Sequence, residues 1–149
     1  MKTIKAALAL TALVAAIGQA SAAPALDQDS ATVYMDIGRY ASLTGLDDFR
    51  LTTSDPDGSA GAVYSGSDEF HLESNAQVRV SLEGGDLSNG KDSVSTAYDM
   101  DGSGIVFDTA ADAVHDGKHT VSASAKLGAI SAQKAGAYSS KITLTVSAL

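Results

Sequence analysis

The sequence predicts an all-β chain, an Ig-like antiparallel β-sandwich of about eight or nine strands. Three observations predict it. Apolar and polar residues alternate strictly in short runs, which is the period of a half-buried strand. Turn-forming clusters punctuate those runs at short intervals. A long amphipathic helix is missing: 110–114 and 130–135 each offer a turn or two at most.

In chain order, Met1 to Ala22 read as a secretion signal. Lys2 and Lys5 form a positive head, Ala6 to Ile17 an apolar run, and Ala20-Ser21-Ala22 the small-x-small pattern of a cleavage site. Cleavage after Ala22 is preferred, because one residue later Pro24 would sit against the scissile bond. The apolar run is shorter than the roughly 20 residues a membrane span needs, so no membrane insertion is expected after cleavage. Residues 23–30 are polar, carry Pro24 and are expected to form a flexible N-terminal extension. Residues 31–149 are expected to form a single sandwich domain.

Within that domain the first strand is Thr32–Ile37, with Val33, Met35 and Ile37 on one face. Phe49 and Leu51 flank Arg50, and Phe70 and Leu72 flank His71. Val78, Val80 and Leu82 alternate with Gln77, Arg79, Ser81 and Glu83. Val121, Ala123, Ala125 and Leu127 alternate with Thr120, Ser122, Ser124 and Lys126. Ile142, Leu144 and Val146 alternate with Lys141, Thr143 and Thr145. Gly61–Tyr64, Ser93–Tyr98 and Ile105–Asp108 are weaker strand signals. Turns are expected at 55–58, 83–86, 89–90, 101–102 and 116–117, each rich in Gly, Asp or Asn. One apolar and one wet face per strand is the pattern of antiparallel sheets.

Composition narrows the chemistry. The chain of 149 residues carries 18 Asp and Glu against 10 Lys and Arg, and no cysteine. Removing Lys2 and Lys5 with the signal takes the net charge from -8 to roughly −10. Nucleic acid is a poor partner for such a surface and is not expected, because phosphate binding needs clustered Lys and Arg. Without cysteine there is no disulfide staple, thiol nucleophile or thiolate metal ligand. The absence of tryptophan weighs against sugar stacking.

Asp55-Pro56-Asp57-Gly58-Ser59 and Asp99-Met100-Asp101-Gly102-Ser103 share the pattern D-x-D-G-S. Alternate oxygens in a tight glycine loop can wrap a hard cation, so Asp55, Asp57, Asp99, Asp101 and Ser103 are the candidate Ca²⁺ ligands. The alternative is a pair of Asx-stabilised turns. A helix-flanked calcium loop would need a bidentate Glu where Ala110 stands. Calcium, weakly held, is therefore the one cofactor the sequence offers a place for. His115 and His119 have a zinc-helix spacing, but on the expected turn at Asp116-Gly117 that spacing has no meaning. His71 is placed on a wet strand face. No G-x-S-x-G elbow, phosphate cradle or pairable carboxylates point to catalysis, and the chain is not expected to be an enzyme.

Ala135-Gly136-Ala137-Tyr138-Ser139-Ser140 leads into the alternating strand Lys141–Val146. This turn and strand resemble the C-terminal strand of exported filament and matrix subunits, the spore-coat-U-like and alpha-class chaperone–usher pilins. TasA-like matrix fibre proteins resemble it more loosely. Ser74-Asn75-Ala76-Gln77-Val78-Arg79-Val80 is similar to the mid-domain strand of those sandwiches. The resemblance implies an incomplete sandwich filled by a neighbour's N-terminal strand. It implies donor residues Val33, Met35 and Ile37, and an acceptor edge at Ile142, Leu144 and Val146. It also implies self-assembly into a secreted pilus or biofilm-matrix fibre, with a periplasmic chaperone and an outer-membrane usher as partners. Pairing of Thr32–Ile37 within its own subunit stays open. The alternative function is a monomeric secreted or periplasmic binding module, weakly calcium-dependent.

Overall fold

The computed structural model describes residues 27, 29–55 and 58–149. The expected signal (1–22) lies outside them, as does most of the expected extension. Contacts group the chain into two units, Met1–Met35 and Asp36–Leu149. No helix among the described residues is long and apolar enough to cross a membrane.

Nine strands make up the body: β1 (Ala41–Thr44), β2 (Val63–Ser74), β3 (Val78–Gly84), β4 (Leu87–Ser88), β5 (Ser93–Val94), β6 (Thr96–Met100), β7 (Val106–Asp108), β8 (His115–Lys126) and β9 (Ile142–Ala148). One sheet runs β1-β2-β8-β6, a second β7-β3-β9, and β4-β5 is a small separate ladder. Every ladder is antiparallel. The order β1-β2-β8-β6 is that of strands A-B-E-D in an immunoglobulin-type sandwich, and β3-β9 is the C-F pair of the facing sheet. β7 adds to the outer side of β3.

Alternation decides which residues meet between the sheets. Phe70 and Leu72 of β2, Met100 of β6 and Val121 of β8 come from one sheet; Val78, Val80 and Leu82 of β3 come from the other. All are buried. Across the β2–β8 ladder Phe70 sits opposite His119 and Asp68 opposite Val121. The buried Thr109 lengthens the β3–β7 pairing: its N–H donates to the Val78 carbonyl at 2.9 Å and its hydroxyl accepts from the Val78 N–H at 3.0 Å. Arg79 and Asp108 clip the same two strands with bonds of 2.7 and 2.8 Å. That pair lifts the arginine pKa and lowers the carboxyl's, each chiefly through the hydrogen bond between them.

Four expectations need correction. Thr32–Ile37 is not a strand; the described residues up to Tyr40 carry no secondary structure. A strand exists only where a partner takes its N–H and C=O groups, and alternation alone supplies none. Phe49–Leu51 is not a strand either. Only Thr52 pairs, as a bridge to Ser65; upstream, the Asp47 N–H donates to the Asp68 carboxylate at 2.6 Å. Gly61–Tyr64 and Phe70–Leu72 are expected as two strands; Val63, Tyr64 and Phe70–Leu72 lie along one twelve-residue strand, and Gly61 and Ala62 precede it. Asp116-Gly117 is no turn but the interior of β8, where Gly117 pairs with Leu72. A full-length partner strand outweighs local turn propensity.

Candidate functional site

β9 is the last strand of its sheet, hydrogen-bonded to β3 on one side only. No described strand pairs with its outer edge. In the immunoglobulin order this is the place of strand G. Ile142, Leu144 and Val146 point inward from β9 and pack against the core, yet each stays only half-buried. Their equivalents on the inner strand β3, Val78, Val80 and Leu82, are fully buried. The difference is cover: β3 has neighbours on both sides and β9 on one. The facing sheet thins at the same edge. Its outermost strand, β1, is four residues long, and Ala41 and Leu43 are also half-buried against the core.

The chain enters β1 through a polar clamp. Asn75, in the β2–β3 turn, donates from Nδ2 to the Gly38 carbonyl at 2.9 Å and accepts the Tyr40 N–H at Oδ1 at 2.7 Å. Its own N–H donates to the Tyr40 carbonyl at 3.1 Å. Arg39 donates to the Leu149 carbonyl at 2.9 Å. A cleft at this end is lined by Tyr40, Ala41, Val78 and Val146 among others. Before the clamp, Val33, Met35 and Ile37 are 91 %, 79 % and 76 % exposed. Ile142, Leu144 and Val146 thus lie on a strand whose outer edge has no partner among the described residues. The Asn75 clamp was not foreseen; Asn in a turn says nothing about a distant partner.

The second D-x-D-G-S segment, Asp99–Ser103, forms a turn after β6. Both Asp99 oxygens accept backbone N–H groups, from Gly102 at 2.5 Å and Gly104 at 2.7 Å. Asp101, at a left-handed φ of 51°, accepts the Thr120 N–H at 2.8 Å and faces His119 Nδ1 at 2.5 Å. Ser103 closes the turn by donating its N–H to the Met100 carbonyl at 2.8 Å. Asp55 accepts the Ser59 hydroxyl, and Asp57 lies outside the described residues. Among the described residues no three metal-ligating side chains converge. Burial pushes the Asp101 carboxyl up, but the Thr120 N–H and His119 outweigh it and hold it below the usual range.

The histidines depart most from expectation. His115, Gly117, His119 and Val121 alternate with Asp116, Lys118 and Thr120 along β8. His115 and His119 therefore share the inward face, with Nε2 to Nε2 2.8 Å apart. Gly117 lies between them; a β-carbon there would stand 3.4 Å from His115 Nε2. The signal was present in the sequence, since the alternation of 121–127 extends backward through these residues. His71 is on the outer face as expected, 2.7 Å from Asp116.

No family model matches this chain, and no curated protein matches it. Among solved structures it is similar to a chaperone–usher pilus whose structure concerns the uncoiling of its rod. The likeness has a TM-score of 0.40 and 16% identity, covering 85% of this chain and 100% of that one. An overlap this loose decides nothing here, and the functional reading rests on the chain's own residues.

Proposed function

We propose that this chain is a secreted structural subunit of an extracellular filament, a pilus or matrix fibre, built by strand complementation between copies. The segment Thr32–Ile37 of one copy lies beside β9 of the next. Val33, Met35 and Ile37 enter the half-covered core next to Ile142, Leu144 and Val146, and the donor backbone pairs with the free edge. The observation that carries this reading is the coincidence of an unpaired β9 edge with an exposed apolar row of the same i, i+2, i+4 spacing. Main-chain bonds then supply affinity and alternate side chains supply register.

Two further observations support it. Filling a subunit's own edge needs a chain reversal ahead of β1, and described residues 29–40 hold no turn or bend. β9 also lacks the usual protection of an edge, since no charge or proline falls within Ile142–Ala148. A periplasmic chaperone and an outer-membrane usher are the assembly partners that go with this reading. No catalytic role is part of it.

The test is purification of the mature chain followed by negative-stain microscopy and size-exclusion chromatography. Fibres or high-mass oligomers are expected from the wild type. A Val33→Asp, Met35→Asp double variant is expected to stay folded and monomeric, melting below the assembled wild type. A wild type that stays monomeric at every concentration, or a double variant that still polymerises, overturns the proposal.

A further inference from the structure

We infer that the His115–His119 pair is an acid-sensitive latch holding the two sheets together, open when both imidazoles carry a full set of protons. This inference is independent of the filament reading. Its geometry comes from three elements. The His119 ring from β8 stacks on Phe107 of β7, in the opposite sheet, at 4.7 Å between centroids and 28° between planes. It also stacks on Phe70 of β2 at 5.3 Å and on His115 at 5.1 Å. Asp101, from the turn between β6 and β7, fixes the ring through Nδ1. His119 thus touches both sheets and the connection between them.

The bridge has room for one shared proton. With Asp101 engaging His119 Nδ1, the two Nε2 atoms face each other at 2.8 Å. One must carry a hydrogen and the other a lone pair. The bridge needs a lone pair on one of the two Nε2 atoms. A second proton, arriving on His115, leaves two N–H groups pointing at one another and two positive rings in contact. Protons enter such a pair in two macroscopic steps, and the second breaks the bridge.

The surrounding charges do not rescue it. β8 itself contributes Asp116 and Lys118. On β2, His71 pairs with Asp116, Glu69 holds Lys118 at 3.1 Å, and Glu73 lies opposite Asp116 in the ladder. Asp108 of β7 is taken by Arg79 of β3. Burial, then the neighbouring His119 charge, lowers the His115 pKa below 6.5; Asp116 pulls the other way without cancelling this, and His71 adds to the lowering. The unfolded chain therefore binds more protons than the folded one across this window. Stability from the latch is complete above about pH 6.5 and is lost as pH falls through the folded value.

The experiment is denaturant unfolding of the full chain and of His115→Asn at pH 8, 7, 6 and 5, in EDTA to exclude metals. Histidine Cε1–H NMR titration of the folded wild type runs alongside. Between pH 6.5 and the lower His115 midpoint of the folded chain, the wild type is expected to lose up to about tenfold more in folding equilibrium constant per pH unit than the variant. The NMR midpoint of His115 is expected below 6.5. Parallel pH profiles for the two proteins overturn the latch, as does a His115 midpoint at or above 6.5. Should His115→Asn fail to fold, the NMR midpoint decides alone.

Discussion

At Gly66 a methyl group would stand 2.3 Å from the Arg50 carbonyl oxygen. The glycine is there for space, letting the segment after β1 cross close to β2. Gly66→Ala is expected to cost about 1–3 kcal/mol, the range of overpacking, read as a lower urea midpoint. Leu72 is the opposite case, fully buried in a filled core. Leu72→Ala is expected to cost about 2–5 kcal/mol in the same measurement. At Asp101 the lowered carboxyl pKa adds stability that is present above the unfolded carboxylate value near 3.8 and lost as pH falls through the folded one. Asp101→Asn should flatten the acid limb of the stability profile below pH 4. Because every oxygen of Asp99 and Asp101 already has a donor, millimolar Ca²⁺ is expected to leave the melting midpoint unchanged. A rise of several degrees would show that a cation displaces those donors.

Alternation located β3, β9 and the later half of β8 within a residue or two, because each buries one face and wets the other. It failed where the partner decides. β8 runs back to His115 through Asp-Gly because β2 offers twelve residues of unbroken pairing. Thr32–Ile37 has the same alternation as β3 and no partner among the described residues, so it is no strand. The pattern reports fitness to lie in a sheet and not membership of one. A peptide covering residues 31–40 should supply the missing partner to a chain starting at Gly38. At one hundred times its Kd the gain is about 2.7 kcal/mol, visible as a raised melting midpoint. The same peptide carrying Asp at positions 33 and 35 should give no shift. A null result with the wild-type peptide would leave β9 without its proposed neighbour.

For the whole molecule, the acidic charge and the lack of cysteine are properties of composition, and the second rules out a disulfide before any fold is known. The all-β class was equally legible, since period-two patterning and turn residues are local. Which strands neighbour which was not. The A-B-E-D and C-F order, the open side of β9 and the meeting of Asp101, Phe107, His115 and His119 all depend on pairings between residues far apart in the chain. Side-chain chemistry sets what a segment can do locally; pairing partners and burial are set by the collective packing of two sheets. The sequence therefore determined the all-β class and which face of a strand is wet, and the tertiary structure alone decided which segments pair, which edge has no described neighbour and which histidines touch.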